Sequence, residues 1–139
     1  MPEKKTMEKA RAARRAGKSP TTQAGEFVHE EIEHVREGKH GARSAKQAIA
    51  IGLSKARRAG IKLPPPPRSA KASTKRSAAA ASRAGRKRTR PSPKRSRAMS
   101  RRLKREPKNT VSTKALSRQA KSAARRRTGT RRRRTTATA

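Results

Sequence analysis

Apolar positions recur at helical spacing in two stretches of the chain, and both lie before residue 64. In the first, Ala24, Phe27, Val28, Ile32 and Val35 fall close to one face of a helix. Ser19-Pro20 supplies a cap followed by a proline at the first helical position, and Gly38 ends the run. In the second, Ala45, Ala48, Ile49, Gly52, Leu53 and Ala56 form a continuous stripe. Ser44-Ala45-Lys46-Gln47 has the form of a capping box, in which the Ser and Gln side chains each satisfy the other's backbone donor. Gly60 stands where a left-handed terminator belongs, with Ile61 placed to fold back onto Ala56. Joined by Lys39–Arg43, the two helices predict an αα-hairpin, and Gly52 on the buried stripe lets them approach closely. A hairpin of that size is expected to be marginal alone, or to need a partner copy. Upstream, Glu3 to Ala16 is rich in helix formers and stops at Gly17, but beyond Met7 it has only alanines to bury, so a frayed helix is expected.

Composition changes the picture for the rest of the chain. Of 139 residues, 42 are Lys or Arg and 8 are acidic, all of them Glu, for a formal charge of +34. Hydrophobic residues make up 29%, and there is one Phe and no Trp, Tyr or Cys. So little apolar surface argues against one compact domain over the whole chain. Disulfide scaffolds and cysteine zinc sites are excluded. No apolar run reaches the roughly 20 residues of a membrane span, and the N-terminus lacks the apolar region of a signal peptide. The charge is uneven: residues 1–63 hold 15 Lys/Arg and 7 Glu, whereas residues 64–139 hold 27 Lys/Arg and only Glu106. Pro64-Pro65-Pro66-Pro67 divides the two parts and reads as a stiff polyproline II spacer. The expected fold is therefore mostly disordered with a small all-α head. Its parts are a basic N-terminal segment, 1–18, a hairpin head, 19–63, the spacer, 64–67, and a disordered Arg/Lys/Ala-rich tail, 68–139. Two tail stretches, Ala70–Ala84 and Thr113–Arg127, are expected to become helical only when phosphate relieves their self-repulsion.

A polycation of this kind calls for a polyanion. The candidate nucleic-acid contacts in the tail are Arg86, Lys87, Arg88, Arg90, Lys94, Arg95, Arg101, Arg102, Arg125, Arg126, Arg127, Arg131, Arg132, Arg133 and Arg134. Guanidinium groups grip phosphate oxygens bidentately or enter a narrow minor groove. Lys46, Arg57 and Arg58, outside the stripe of the second hairpin helix, are the head's candidates. The near-absence of aromatics argues against base stacking and so favours duplex DNA held by its backbone. Sequence-specific reading by a helix-turn-helix is disfavoured, because the connecting turn is long and Ser44 and Gln47 are committed to the cap. Glu26, Glu30, Glu33 and Glu37 predict an acidic ridge that pairs with Lys46, Arg57 or Arg58, or with the basic arm, and that turns away from DNA. The run His29-Glu30-Glu31-Ile32-Glu33-His34 misses the H-E-x-x-H metalloprotease pattern, since position 33 is Glu. Its one E-x-x-H pair, Glu31 and His34, reads as part of a polar outer face. No metal, cofactor or catalytic constellation is expected, and the chain reads as a binding protein rather than an enzyme.

Residues 38–61, Gly-Lys-His-Gly-Ala-Arg-Ser-Ala-Lys-Gln-Ala-Ile-Ala-Ile-Gly-Leu-Ser-Lys-Ala-Arg-Arg-Ala-Gly-Ile, resemble the core of a small bacterial family of unknown function. That family shares a G-K-H-G turn followed by K-Q-A-I-A-I-x-L-S-x-A-R-R-A-G, and the likeness covers roughly Glu26 to Pro67. It implies a bacterial origin and no particular activity. The tail resembles, in composition, the arms of linker histones and of histone H1-like bacterial proteins. Ser92-Pro93-Lys94-Arg95 is similar to the S-P-K-K turn those arms lay along the minor groove. Together these lead us to expect non-sequence-specific binding and compaction of duplex DNA by a cytoplasmic, nucleoid-associated protein. Two rival readings stand beside it: an RNA- or ribosome-associated basic protein, and an interaction module acting through the acidic helix 26–37. Self-association through the hairpin is a further expected contact, and a membrane is not.

Overall fold

Residues with good start signals begin helices where the sequence places them. The computed structural model describes residues 2–137, with side chains through Gly129, and those residues form six α-helices. They are α1 (Lys4–Arg15), α2 (Pro20–Arg36), α3 (Ala45–Arg58), α4 (Ala72–Lys87), α5 (Pro93–Arg105) and α6 (Thr113–Ala137). Ser19 caps α2 by accepting from the Thr22 N–H at 3.3 Å, with Pro20 as the first helical residue. Ser44 caps α3 through the Gln47 N–H at 3.2 Å. The reciprocal half of the expected capping box is displaced by one residue, because Gln47 Oε1 accepts from the N–H of Arg43 rather than of Ser44. At the other end of α3 the Ile61 N–H reaches the Ala56 carbonyl at 3.1 Å and the Gly60 N–H reaches that of Arg57, also at 3.1 Å. Gly60 has φ +96°, so the helix ends in the expected Schellman arrangement.

The expectation of a mostly disordered chain with a small helical head is overturned. Four of the six helices were not required by any apolar stripe of large residues, and three lie wholly beyond the proline run. Alanine, arginine and lysine are strong helix formers, and a composition test that counts only apolarity and charge overlooks that. Helix α3 is the centre of the assembly, with α2, α4 and the start of α6 packed against it, while α1 packs on α2. Pro64–Pro67 does not hold the basic half away from the head. Residues 61–67 run without regular structure beside Arg57, whose Nη1 and Nη2 donate to the carbonyls of Leu63 and Pro64 at 3.3 and 2.8 Å. The chain then turns and lays α4 back on α3.

Small residues make that return possible. Ala81 and Gly85 are the buried residues of α4, and a Cβ built on Gly85 would stand 2.1 Å from the Arg57 carbonyl oxygen. The helix does not stop at Ala84: α4 runs through Gly85 to Lys87 and is capped by Arg88, which adopts the left-handed conformation (φ 51°). Gly52 serves as expected, its hypothetical Cβ lying 2.6 Å from the Val28 Cα on α2. One core cluster joins Ala10, Ala24, Phe27 and Ala56, with Met7, Leu53, Ile61 and Leu63 against it. Thus α1, rather than fraying, is held by Met7 and Ala10.

A second cluster joins Val35, Ala42 and Ala48 to Val111, a residue 63 positions from Ala48 in sequence. Backbone hydrogen bonds fasten this segment to the α2–α3 loop: Gly41 N–H to the Leu103 carbonyl and Ala42 N–H to that of Pro107, both at 2.8 Å. The Thr110 hydroxyl donates to the Ala42 carbonyl at 2.8 Å, and Arg36 Nε to that of Val111 at 3.3 Å. Close backbone contact, together with the one buried side chain of Val111, therefore docks this segment on the α2–α3 loop. None of the helices is long and apolar enough to cross a membrane among the described residues.

Candidate nucleic-acid interface

The helix most exposed to solvent is also the most basic. Every residue of α5 except Leu103 is exposed, and none is buried. Ser92 caps it through the Arg95 N–H at 3.3 Å, and Pro93 is its first residue. Ser92-Pro93-Lys94-Arg95 is thus a helix start, and not the turn its likeness to S-P-K-K suggested; a cap followed by proline at the first helical position satisfies both residues. Seven of its thirteen residues are Lys or Arg, and none is acidic. Lys94, Arg97, Arg101 and Arg105 follow one another at helical spacings of three or four, and Arg95 and Arg102 lie two turns apart on a neighbouring strip. Arg101, Arg102 and Arg105 line a shallow groove with Ala98 and Glu106. At about 20 Å long, α5 spans a length of duplex bearing about twelve phosphate charges.

Around it the remaining candidates take distinct positions. Arg86 and Lys87 occupy the last turn of α4, Arg88 is its left-handed cap, and Arg90 lies in the link to α5; all are exposed. Arg125, Arg126 and Arg127 are exposed on α6, where Arg126 Nη2 donates to the Ser122 hydroxyl at 3.3 Å. The side chains of Arg131, Arg132, Arg133 and Arg134 lie outside those described. Lys46 is exposed at the start of α3, in a depression shared with Arg43, Ser44, Gln47 and Ala50. The Gly41–Leu103 bond brings the C-terminal end of α5 beside the loop that leads into this depression. Arg58 is exposed. Arg57 is not a surface residue: it is buried, burial pulls its pKa below the ordinary value, and its guanidinium holds the 63–64 backbone. Arg97, Lys104 and Arg105 join the candidates only in the structure, although Lys104-Arg105 is a contiguous basic pair like Arg101-Arg102. The helical spacing of Arg97, Arg101 and Arg105 was the available signal.

Apart from Glu106, the C-cap of α5 that also lines its groove, the acids lie on or beside α1 and α2. Lys9 pairs with Glu26 at 3.9 Å, Arg36 with Glu33 at 3.4 Å, and Lys39 with Glu37 at 3.2 Å. Glu30 and Glu31 are buried. The acidic ridge expected along Glu26, Glu30, Glu33 and Glu37 is therefore interrupted, and among the described residues it makes no ion pair with Lys46, Arg57 or Arg58. Glu31 lies between Phe27 and Val35 at intervals of four, on the buried stripe itself. Its partners are Lys55 and His40, so the reading of this run as a polar outer face is also corrected. Glu3 accepts from the His34 ring and lies near Lys39, and these two contacts hold its carboxyl below the usual range. None of the seven cations of α5 forms an ion pair among the described residues, which leaves that helix uncompensated.

Neither the curated proteins nor the solved structures contain a match to this chain. Residues 11–67 do match the model of one family, described as Family of unknown function (DUF6496). The family likeness therefore belongs to the segment running from α1 through the α2–α3 hairpin to the proline run, beginning well before Glu26, and stops short of the basic helices.

Proposed function

We propose that the protein binds duplex DNA through its phosphates, without reading sequence, and draws duplex segments together as a histone H1-like, nucleoid-associated protein. The observation that carries this reading is α5: a helix with no buried residue, seven cations and no acid. Release of condensed counterions makes such a surface bind polyphosphate. Phe27, the one residue among Phe, Tyr and Trp, is wholly buried, so bases have no such ring to stack on, which favours a paired duplex over single strands. Arginines on α4 and α6 add further contact points, and several separated cationic surfaces on one molecule allow two duplexes to be held at once. The acidic helix 26–37 loses weight as a partner-binding face, because its carboxylates are engaged internally.

The test is titration of the full chain into duplex DNA, single-stranded DNA and structured RNA across salt, with single-molecule extension of long duplex. With about ten phosphates engaged, log K against log salt should slope near −9 for duplex DNA. A slope shallower than about −3, or preference for structured RNA over duplex at equal salt, overturns the reading.

A further inference from the structure

Buried beneath the α2–α3 loop is a group of side chains that the basic surface does not use. Glu31 is fully buried on α2, and its Oε2 has no hydrogen-bond partner. His40, from the loop, places Nε2 3.1 Å from that oxygen. His34, one turn after Glu31, places Nδ1 3.8 Å from Glu31 Oε1. One donor atom from each of Glu31, His34 and His40 lies within 4.8 Å of the others. Lys55, which is only partly buried, holds Glu31 Oε1, the oxygen that His34 also faces, and leaves Oε2 to His40.

The outer contacts fix which nitrogen faces inward. His40 Nδ1 lies 2.9 Å from the Gly41 carbonyl, which can only accept, so Nδ1 carries a proton and Nε2 is turned to Glu31. On His34, Nε2 lies 3.1 Å from Glu3 Oε1, so the proton on Nε2 points to that carboxylate and Nδ1 is turned to Glu31. Each imidazole therefore has one N–H anchored on an oxygen and its other nitrogen directed at a carboxylate. Two lone pairs 3.1 Å apart repel unless a positive species stands between them. Imidazoles anchored by a carbonyl and a carboxylate are the outer-partner pattern of metal-binding histidines. Tetrahedral zinc with nitrogen and oxygen ligands at about 2.0–2.1 Å places those ligands about 3.3 Å apart; the Glu31–His40 separation is already close to that, and His34 would close in by about half an ångström.

We infer that Glu31, His34 and His40 form a binding site for a divalent transition-metal ion of the zinc class, with Glu3 orienting His34 from outside. The ion would tie α2 to the 38–42 loop, where the C-terminal half is fastened. Glu3, Glu30 and Glu31 offset its charge against Lys39 and Lys55. The E-x-x-H pair of the sequence acquires its third ligand only through the loop, which explains why no helical motif announced it. This site is independent of the DNA surface.

The experiment adds zinc chloride to the untagged, chelator-treated full chain, read by calorimetry and by NMR of the imidazole protons. The chain has three histidines, so each can be followed, and exposed His29 serves as an internal control. Expected are one equivalent of zinc per chain, shifts of His34 and His40 with His29 unmoved, and a raised thermal midpoint. His40→Gln should weaken binding at least 100-fold, and Glu3→Gln about 10-fold. His29→Gln should change nothing. No stoichiometric uptake, or equal response of all three histidines, overturns the proposal and means that a proton bridges the pair. Unaltered affinity in His40→Gln also overturns it. If that variant fails to fold, as circular dichroism will show, the wild-type resonances decide alone.

Discussion

Replacing Gly85 by Ala turns the docking of α4 into a question of sign. Gly85 sits inside a helix, and Gly→Ala in a helix interior ordinarily stabilises by about 1 kcal/mol. If α4 were a free arm, the substitution would add that amount. In the structure the new Cβ would lie 2.1 Å from the Arg57 carbonyl oxygen, 3.2 Å from its carbon and 3.3 Å from the Gly60 nitrogen. These are backbone atoms at the end of α3, held by the Schellman turn, and they have no rotamer with which to move aside. Helix α4 must retreat by about 1 Å, a gap that already forfeits a quarter to a half of the dispersion attraction across the contact. Overpacking of this kind costs about 1–3 kcal/mol, so after the propensity gain the net effect is destabilisation by up to about 2 kcal/mol. Gly25 on α2 is the control, because nothing lies within 4 Å of its hypothetical Cβ. Gly25→Ala should stabilise by about 1 kcal/mol, raising the midpoint by about 3–5 °C. Urea and thermal melts followed by circular dichroism give the two signs. Hydrogen exchange should show lost protection in residues 56–61 and 81–85 for Gly85→Ala. Equal stabilisation by both substitutions would refute the docking of α4 and with it the reading of Pro64–Pro67 as a return strap.

Three further outcomes follow from single contacts. Lys55→Met strands the buried Glu31 carboxylate and should cost about 3 kcal/mol in metal-free buffer, whereas exposed Lys46→Met should change stability by less than about 0.5 kcal/mol; equal effects in urea melts would show that Glu31 is not held by Lys55. Ser92→Ala removes the cap of α5 and should reduce helix stability there by about 1 kcal/mol, read as faster amide exchange in residues 93–97 with α2 and α3 unaffected. Replacing Arg97, Arg101 and Arg105 together by Gln should make the salt slope for duplex DNA shallower by about 2.7, while the same triple change at Lys4, Lys5 and Arg11 of α1 should matter less. An unchanged slope in the α5 variant would remove that helix from the interface.

The α2–α3 hairpin was legible from the chain because its signals are local. Ser19-Pro20, Ser44, Gly60 and the 3.6-residue stripe each act within one or two turns, and Gly52 marks the close approach of the two helices because it lies on that stripe. The basic candidates were legible too, as composition, although their helical alignment on α5 was hidden by the expectation of a disordered tail, to which no helical spacing applies. What tertiary structure decided is how the basic half docks. Its contacts are made by Gly41, Ala42, Ala81, Gly85, Thr110, the backbone of Leu103 and Pro107, and Val111, an isolated apolar residue in a basic stretch that forms no stripe. Small residues stabilise by letting backbones meet, and that depends on the partner surface rather than on the residue. The same limit applies to the buried polar group. Glu31 occupies a core position between Phe27 and Val35, yet an acid there reads as surface until Lys55 and His40 are brought in, from 24 residues and 9 residues away, to take up its charge. Periodicity records what a helix presents on each face; which charged partners make a carboxylate tolerable inside is fixed only when the other elements close over it.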